Sequence, residues 1–193
     1  MCFHAQQKHD SKTVQKRFNA KGPVSQGIYN GFSHPQLTVI CASQPSELRL
    51  FNWGLIPYWA KETSIQQYTL NARLETLDEK PSFKSAKRCL VIADGFYEWQ
   101  WLDSKGRKKQ KHLIQLHDKS LFAFAGLWDE WVDSATGDIH QTVSIVTTAA
   151  EGIMRQIHNS KLRMPLLLHP KEEALWLDGA SVTPQINLLT TAI

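Results

Sequence analysis

The run Arg88-Cys89-Leu90-Val91-Ile92-Ala93-Asp94-Gly95-Phe96-Tyr97-Glu98-Trp99-Gln100-Trp101 decides the fold. Residues 88–93 are apolar and β-branched enough for a buried strand, and Asp94-Gly95 supplies the turn chemistry that closes it. Residues 96–101 then alternate aromatic and polar side chains, the period of a strand with one covered face. Asp103-Ser104-Lys105-Gly106-Arg107 is turn text, and His112-Leu113-Ile114-Gln115-Leu116-His117 reads as the returning strand of a hairpin.

The pattern repeats on both sides. Upstream, strands are expected at 37–42 and 48–55, the second stopped by Pro57. Downstream they are expected at 121–127, 140–147 and 164–168. Short helices are expected at 12–18, where Val14 and Phe18 stand at i, i+4, and at 82–87, 149–158 and 171–177. Residues 69–77 read as a loop. No regular βαβ alternation, internal repeat or low-complexity tract is present, so the reading is an α+β fold. Its core is a curved or barrel-like antiparallel β-sheet with short peripheral helices, and residues 1–193 form one domain.

Composition removes several classes. With 193 residues, 42% hydrophobic and 21% charged, the chain is expected to bury roughly 70% of its unfolded surface, which excludes disorder and coiled coil. No stretch approaches the ~20 apolar residues of a membrane span, and the start lacks a signal peptide's apolar core. A cytoplasmic protein is expected. The three cysteines form no paired motif and suit a reducing compartment; Cys41 and Cys89 fall in apolar strand text and read as buried filler. The eight histidines are scattered without metal-ligand spacing, so neither metal nor cofactor is expected. A net charge of +4 favours anionic partners weakly, while seven Trp in so small a chain suggest indole faces reserved for stacking.

Among single residues, Cys2 carries the most chemistry. Removal of Met1 would leave a 1,2-aminothiol, whose α-amine titrates near ~7.7–8 against about 10.4 for a lysine, so much more of it is free to attack an aldehyde at neutral pH. The thiol can close onto the resulting imine as a five-membered thiazolidine, which no internal cysteine can form. An inert residue at a frayed terminus would look the same. Glu98, set among Phe96, Tyr97, Trp99 and Trp101, is either a carboxyl of raised pKa able to give and take a proton, or a solvated strand carboxylate. His158 is a second acid/base or a capping histidine. Asn71 and Arg73, one residue apart, pair an orienting amide with an anion-holding guanidinium, or are a turn residue and a surface cation. The basic run 105–111 reads as a solvated hairpin tip.

Several motifs occur in one order: Met1-Cys2, Trp53-Gly54-Leu55-Ile56-Pro57-Tyr58-Trp59-Ala60, Asn71-Ala72-Arg73-Leu74-Glu75-Thr76, Gly95-Phe96-Tyr97-Glu98-Trp99, and His158 followed by Arg163-Met164-Pro165. From Cys2 to about Leu168 the chain resembles the SRAP family, the SOS-response-associated peptidases. The resemblance implies a monomeric sensor of abasic sites in single-stranded DNA, found at the nucleoid when bound, that shields them by a thiazolidine link through Cys2. It makes Asn71 the orienting residue, Glu98 the acid/base for imine formation and ring closure, and His158 the proton-transfer partner at the sugar. Arg73 and Arg163 would hold phosphates and Trp99 would shape the DNA, with Trp53 and Trp59 as further aromatic contacts.

Two features depart from the family. Its usual Met-Cys-Gly-Arg start is here Met-Cys-Phe-His, so a phosphate-binding arginine is missing: either DNA affinity is weaker, or His4 replaces the arginine only when protonated. The spacer 159–162 before Arg163 is longer than the common form. Two other functions fit the same residues: a cysteine peptidase or amidase with Cys2 as N-terminal nucleophile, and a non-covalent single-strand-binding module.

Overall fold

The computed structural model describes residues 2–184 and 187–193. In chain order the strands are β1 (His4–Gln7), β2 (Gly27–Asn30), β3 (Gln36–Cys41), β4 (Gln44–Trp53), β5 (Asn71–Arg73), β6 (Lys87–Ala93) and β7 (Gly95–Trp101). They continue as β8 (Lys109–Leu116), β9 (Phe122–Val132), β10 (Ile139–Ala149), β11 (Arg163–Pro165), β12 (Leu167–Leu168) and β13 (Leu188–Ala192). The helices are short: α1 (Ser11–Phe18), α2 (Pro81–Lys84), α3 (Met154–Ile157) and α4 (Glu173–Leu177).

Five strands close a barrel. Antiparallel pairing runs from β10 to β9, β6, β3 and β4, and β4 returns to β10 through a parallel seam at Asn52–Thr142 and Trp53–Val143. The barrel-like core expected from sequence is present, with that seam parallel instead of antiparallel. The seam is short because the chain leaves it at Gly54, whose N–H donates to the Val143 carbonyl at 2.9 Å. With φ +116° and only 2.7 Å between a would-be Cβ and His34 Nδ1, this position requires glycine. The vacated edge of β10 is taken by β5, paired parallel from Ile145–Asn71 to Thr147–Arg73.

A second sheet, in the order β13-β8-β7-β1-β2, contains the expected β7–β8 hairpin. Period-2 alternation explains how the sheets pack. Val39 and Cys41 of β3, Cys89 and Val91 of β6, and Phe122 and Phe124 of β9 share one buried cluster with Phe96 and Ile114 of the second sheet. The alternate residues Ile40, Leu90, Ile92, Ala123 and Ala125 belong to the other cluster, covered by Val14 of α1 and Trp176 of α4. The α1 start is capped by Asp10, which accepts from the Thr13 N–H at 2.9 Å.

Some elements differ from the sequence reading. The segment 69–77 is not all loop, since β5 lies within it. The helix expected at 149–158 shrinks to α3, because β10 runs on to Ala149 and Gly152 turns the chain at φ +50°. The strand expected at 164–168 divides into β11 on β10 and β12 on β9. At the division Leu166 donates its N–H to Val146 and accepts from Ala125, bridging the two barrel strands.

Candidate active site

The chain's beginning is held between two strands, with His4 opposite Asn30 of β2 and Tyr97 of β7. Beyond the strand, Gly31 donates its N–H to the Phe3 carbonyl at 2.8 Å, and Asn71 donates its side-chain N–H to the Cys2 carbonyl, also at 2.8 Å. Cys2 is fully buried, its thiol 3.7 Å from the His4 carbonyl, and burial pushes the thiol pKa well up. The thiol is therefore held neutral. Met1 lies outside the described residues.

Glu98 sits on β7 with 5% exposure, and burial raises its carboxyl to about 7. Its Oε2 is 3.8 Å from Nε2 of His158, a residue only 6% exposed whose pKa burial lowers to about 4. His158 ends α3, its N–H bonded to the Met154 carbonyl, and Nδ1 lies 2.5 Å from the Arg163 carbonyl. That contact assigns the ring proton to Nδ1 and leaves the Nε2 lone pair toward Glu98. Near pH 7 the histidine is neutral and the carboxyl half-protonated, two groups pushed apart in the manner of an acid/base pair. The long spacer 159–162 makes this geometry possible. Leu162 takes a left-handed φ of 52°, bonds back to the His158 carbonyl at 2.8 Å, and returns the Arg163 main chain to the imidazole.

Asn71 and Arg73 lie on β5, not in a loop, flanking the fully buried Ala72. Both line a cavity of about 310 Å³ with Tyr68 and Lys80, and Arg73 is exposed. Trp99 is half-buried, its ring edge-on to His4 at 4.8 Å. Trp59 is 46% exposed, its indole N–H donating to the Pro81 carbonyl at 3.3 Å.

The structure corrects one residue. Trp53 was read as a DNA contact, but it is 0% exposed and its N–H donates to the Leu70 carbonyl at 2.8 Å, so no ring face is open to a base. Arg163 is already engaged: its guanidinium grips both Glu75 oxygens at 2.7 and 2.9 Å and donates to the Thr147 carbonyl at 2.7 Å. It reaches a phosphate only by exchanging Glu75 for it. His4 does not replace an arginine at neutral pH, because burial and then the Lys111 ammonium lower its pKa.

The supports of the loop 54–60 were not read from sequence. Asp129 accepts from the Tyr58 N–H at 2.9 Å, Thr142 from the Ile56 N–H at 2.7 Å, and the Trp131 indole donates to the Ala60 carbonyl at 2.7 Å. The signal was an acidic residue inside the apolar strand text of β9, since a buried carboxylate needs donors. Among the described residues, no group of three or more His, Cys, Asp or Glu is placed to hold a metal.

A five-stranded barrel packed on a second sheet, with a buried Cys2 tied to Asn71 and a Glu98–His158 pair, is the arrangement to set beside known proteins. The chain belongs to the SOS response associated peptidase (SRAP) family, which matches residues 1–192. It is 41% identical over 173 residues to the abasic site processing protein YoqW of Bacillus subtilis, covering 83% of this chain and 75% of YoqW. To the abasic site processing protein HMCES of Xenopus tropicalis it is 30% identical over 195 residues, covering 90% of this chain and 57% of HMCES. A crystal structure of a protein from Bacteroides thetaiotaomicron superposes with a TM-score of 0.87 at 32% identity, covering 100% of this chain and 92% of that one.

Proposed function

We propose that this chain processes abasic sites in single-stranded DNA by capturing the ring-opened sugar aldehyde on Cys2 as a thiazolidine. The observation that carries the reading is that Asn71 bonds the Cys2 carbonyl while the Glu98 carboxyl, paired with His158, lies near enough to push the Cys2 thiol pKa further up, so four separate parts of the chain meet. The substrate is inferred from the relatives, which are abasic site processing proteins.

In the first step the α-amine freed by loss of Met1 adds to the sugar C1′ aldehyde, and the carbinolamine loses water to give an imine. Protonated Glu98 donates to the departing hydroxyl. In the second step Sγ bonds to the imine carbon, the thiol proton passes through the Glu98 carboxylate to nitrogen, and the ring closes. One water is released overall. A carboxyl near pH 7 serves both directions, giving a proton first and taking one next. Neutral His158 accepts the sugar hydroxyl proton as the closed sugar opens, and Asn71 fixes the Cys2 carbonyl so that amine and thiol face the same carbon. Arg73 holds a neighbouring phosphate, with Trp99 and Trp59 against the bases.

Denaturing gels of the protein with abasic and intact single-stranded oligonucleotides test this. The expected result is a heat-stable adduct with the abasic strand alone. A salt-labile complex that vanishes on denaturation would make the protein a non-covalent binder, and cleavage of a peptide without any adduct would make it a peptidase.

A further inference from the structure

Trp99 and Trp101 stand two residues apart on β7, with Lys111 and Lys109 opposite them on β8. Residues two apart on a strand share a face, so the four form two rungs of one indole and one lysine each. The Lys111 ammonium lies between Tyr97 and Trp99, 4.4 and 5.7 Å from their ring centres, and the Lys109 ammonium 5.6 Å from that of Trp101. Both indoles are partly open to solvent.

The outer indole is fixed from several sides. Asn159 accepts from the main-chain N–H of Trp101 at 3.0 Å and donates to its carbonyl at 2.9 Å, clipping the strand end that carries the indole to the residue that follows His158. Gly106, at φ +63°, lets the hairpin turn lie on the ring, since a Cβ there would come within 2.5 Å of it. Asp103 accepts from the main-chain N–H groups of Lys105, Arg107 and Lys108, which leaves the side chains of these three basic residues exposed. Beside Trp101 opens a cavity of about 470 Å³, lined also by Leu102, Ser104 and Asn159. Lys109 and Trp99 meanwhile line a cavity of about 290 Å³ with Glu98 and His4, so the ladder starts at the wall of the reaction centre.

Single-stranded nucleic acid repeats one planar base and one phosphate per nucleotide; this ladder repeats one planar ring and one ammonium per rung. We propose that the β7–β8 face is a stacking track for two nucleotides of single-stranded DNA beside the captured sugar, with Trp101 and Lys109 as its outer step. The proposal rests on the capture of abasic sites set out above. An acidic peptide would satisfy the lysines but leave the indole faces without planar partners. Stacking on indoles accepts any base, so the track lengthens the site without adding sequence preference. Because Trp101 is held before DNA arrives, little ordering opposes binding.

The test follows adduct formation on oligonucleotides of one length with the abasic site at the 5′ end, the middle or the 3′ end. Wild type, Trp101→Leu and Lys109→Gln are compared as full chains. Wild type captures the lesion faster when the flank that lies on the track is present. Trp101→Leu removes that gain, about fivefold or more for one lost base stack, Lys109→Gln reduces it, and both keep the gain from the opposite flank. Lys109→Gln, an exposed change of charge alone, also flattens the salt dependence of binding to lesion-free single strands by about 0.7 in log–log slope; this readout stands if Trp101→Leu loosens the turn. Variants that match wild type on every substrate, or that slow all three equally, overturn the track. A wild type that forms no adduct anywhere overturns the capture reading instead, and the salt slope still judges the track.

Discussion

The side-chain N–H of Asn71 donates to the Cys2 carbonyl at 2.8 Å across 69 residues of sequence, tying β5 to the beginning of the chain. β5 in turn is anchored on β10 of the barrel, so the position of Cys2 is set by sheet register. Asn71→Ala breaks this tie while leaving the β5 main-chain bonds in place. Single-turnover adduct formation is expected to slow about tenfold or more, the size of one well-placed hydrogen bond, with a small change in melting temperature. An unchanged rate would remove Asn71 from the site.

Glu98 and His158 make opposite contributions to stability as pH changes. Burial raises Glu98 to about 7, so the fold favours its protonated form; that stability is full below the ordinary carboxylate range and is lost as pH rises through about 7. Burial lowers His158 to about 4, so its contribution is present above the usual imidazole range and is lost as pH falls through about 4. Glu98→Gln is therefore expected to melt above wild type at pH 8 and close to it below pH 5. The same variant loses the inflection near pH 7 in the capture rate. Melting curves that shift equally at both pH values would contradict the buried-carboxyl assignment.

The two arginines are expected to separate. Arg73 is exposed, so Arg73→Ala weakens capture of every sequence and flattens the salt slope by about 0.7, without changing melting. Arg163→Ala leaves the Thr147 carbonyl and Glu75 without their partner and lowers the melting temperature by several degrees. Equal behaviour of the two variants in a melt and a salt titration would refute this division.

Thiazolidine formation requires a free amine on Cys2. Intact mass of crosslinking-competent protein is expected to be one methionine residue short of the full sequence. Active, crosslinking protein that retains Met1 would exclude the ring.

The barrel was legible because β3, β4, β6, β9 and β10 carry apolar runs and clean alternation. β1 was not. Its residues Gln6 and Gln7 are buried yet polar, their side-chain N–H groups donating to Asp94 and to the Ser25 carbonyl, and a hydropathy pattern has no means of showing that. β2 was hidden by Gly27 and Asn30 at its ends. Residue types gave Cys2, Glu98, Asn71 and His158 only as open alternatives, since their meeting depends on long-range pairings such as Ile145–Asn71. Trp53 was misread because an indole chosen for core filling and one reserved for a base have the same letter; only its 0% exposure separates them.

The central claim is that both halves of Cys2, amine and thiol, enter the bond to DNA. Cys2→Ala with Met1 removed keeps the amine and deletes the thiol, so an abasic single strand treated with it should yield an imine that borohydride traps. Without reductant, this variant should give little stable adduct and some strand scission by β-elimination. Wild type should give a heat-stable adduct with no reductant and little nicking. A Cys2→Ala protein that forms the same heat-stable adduct as wild type without reductant would contradict the account.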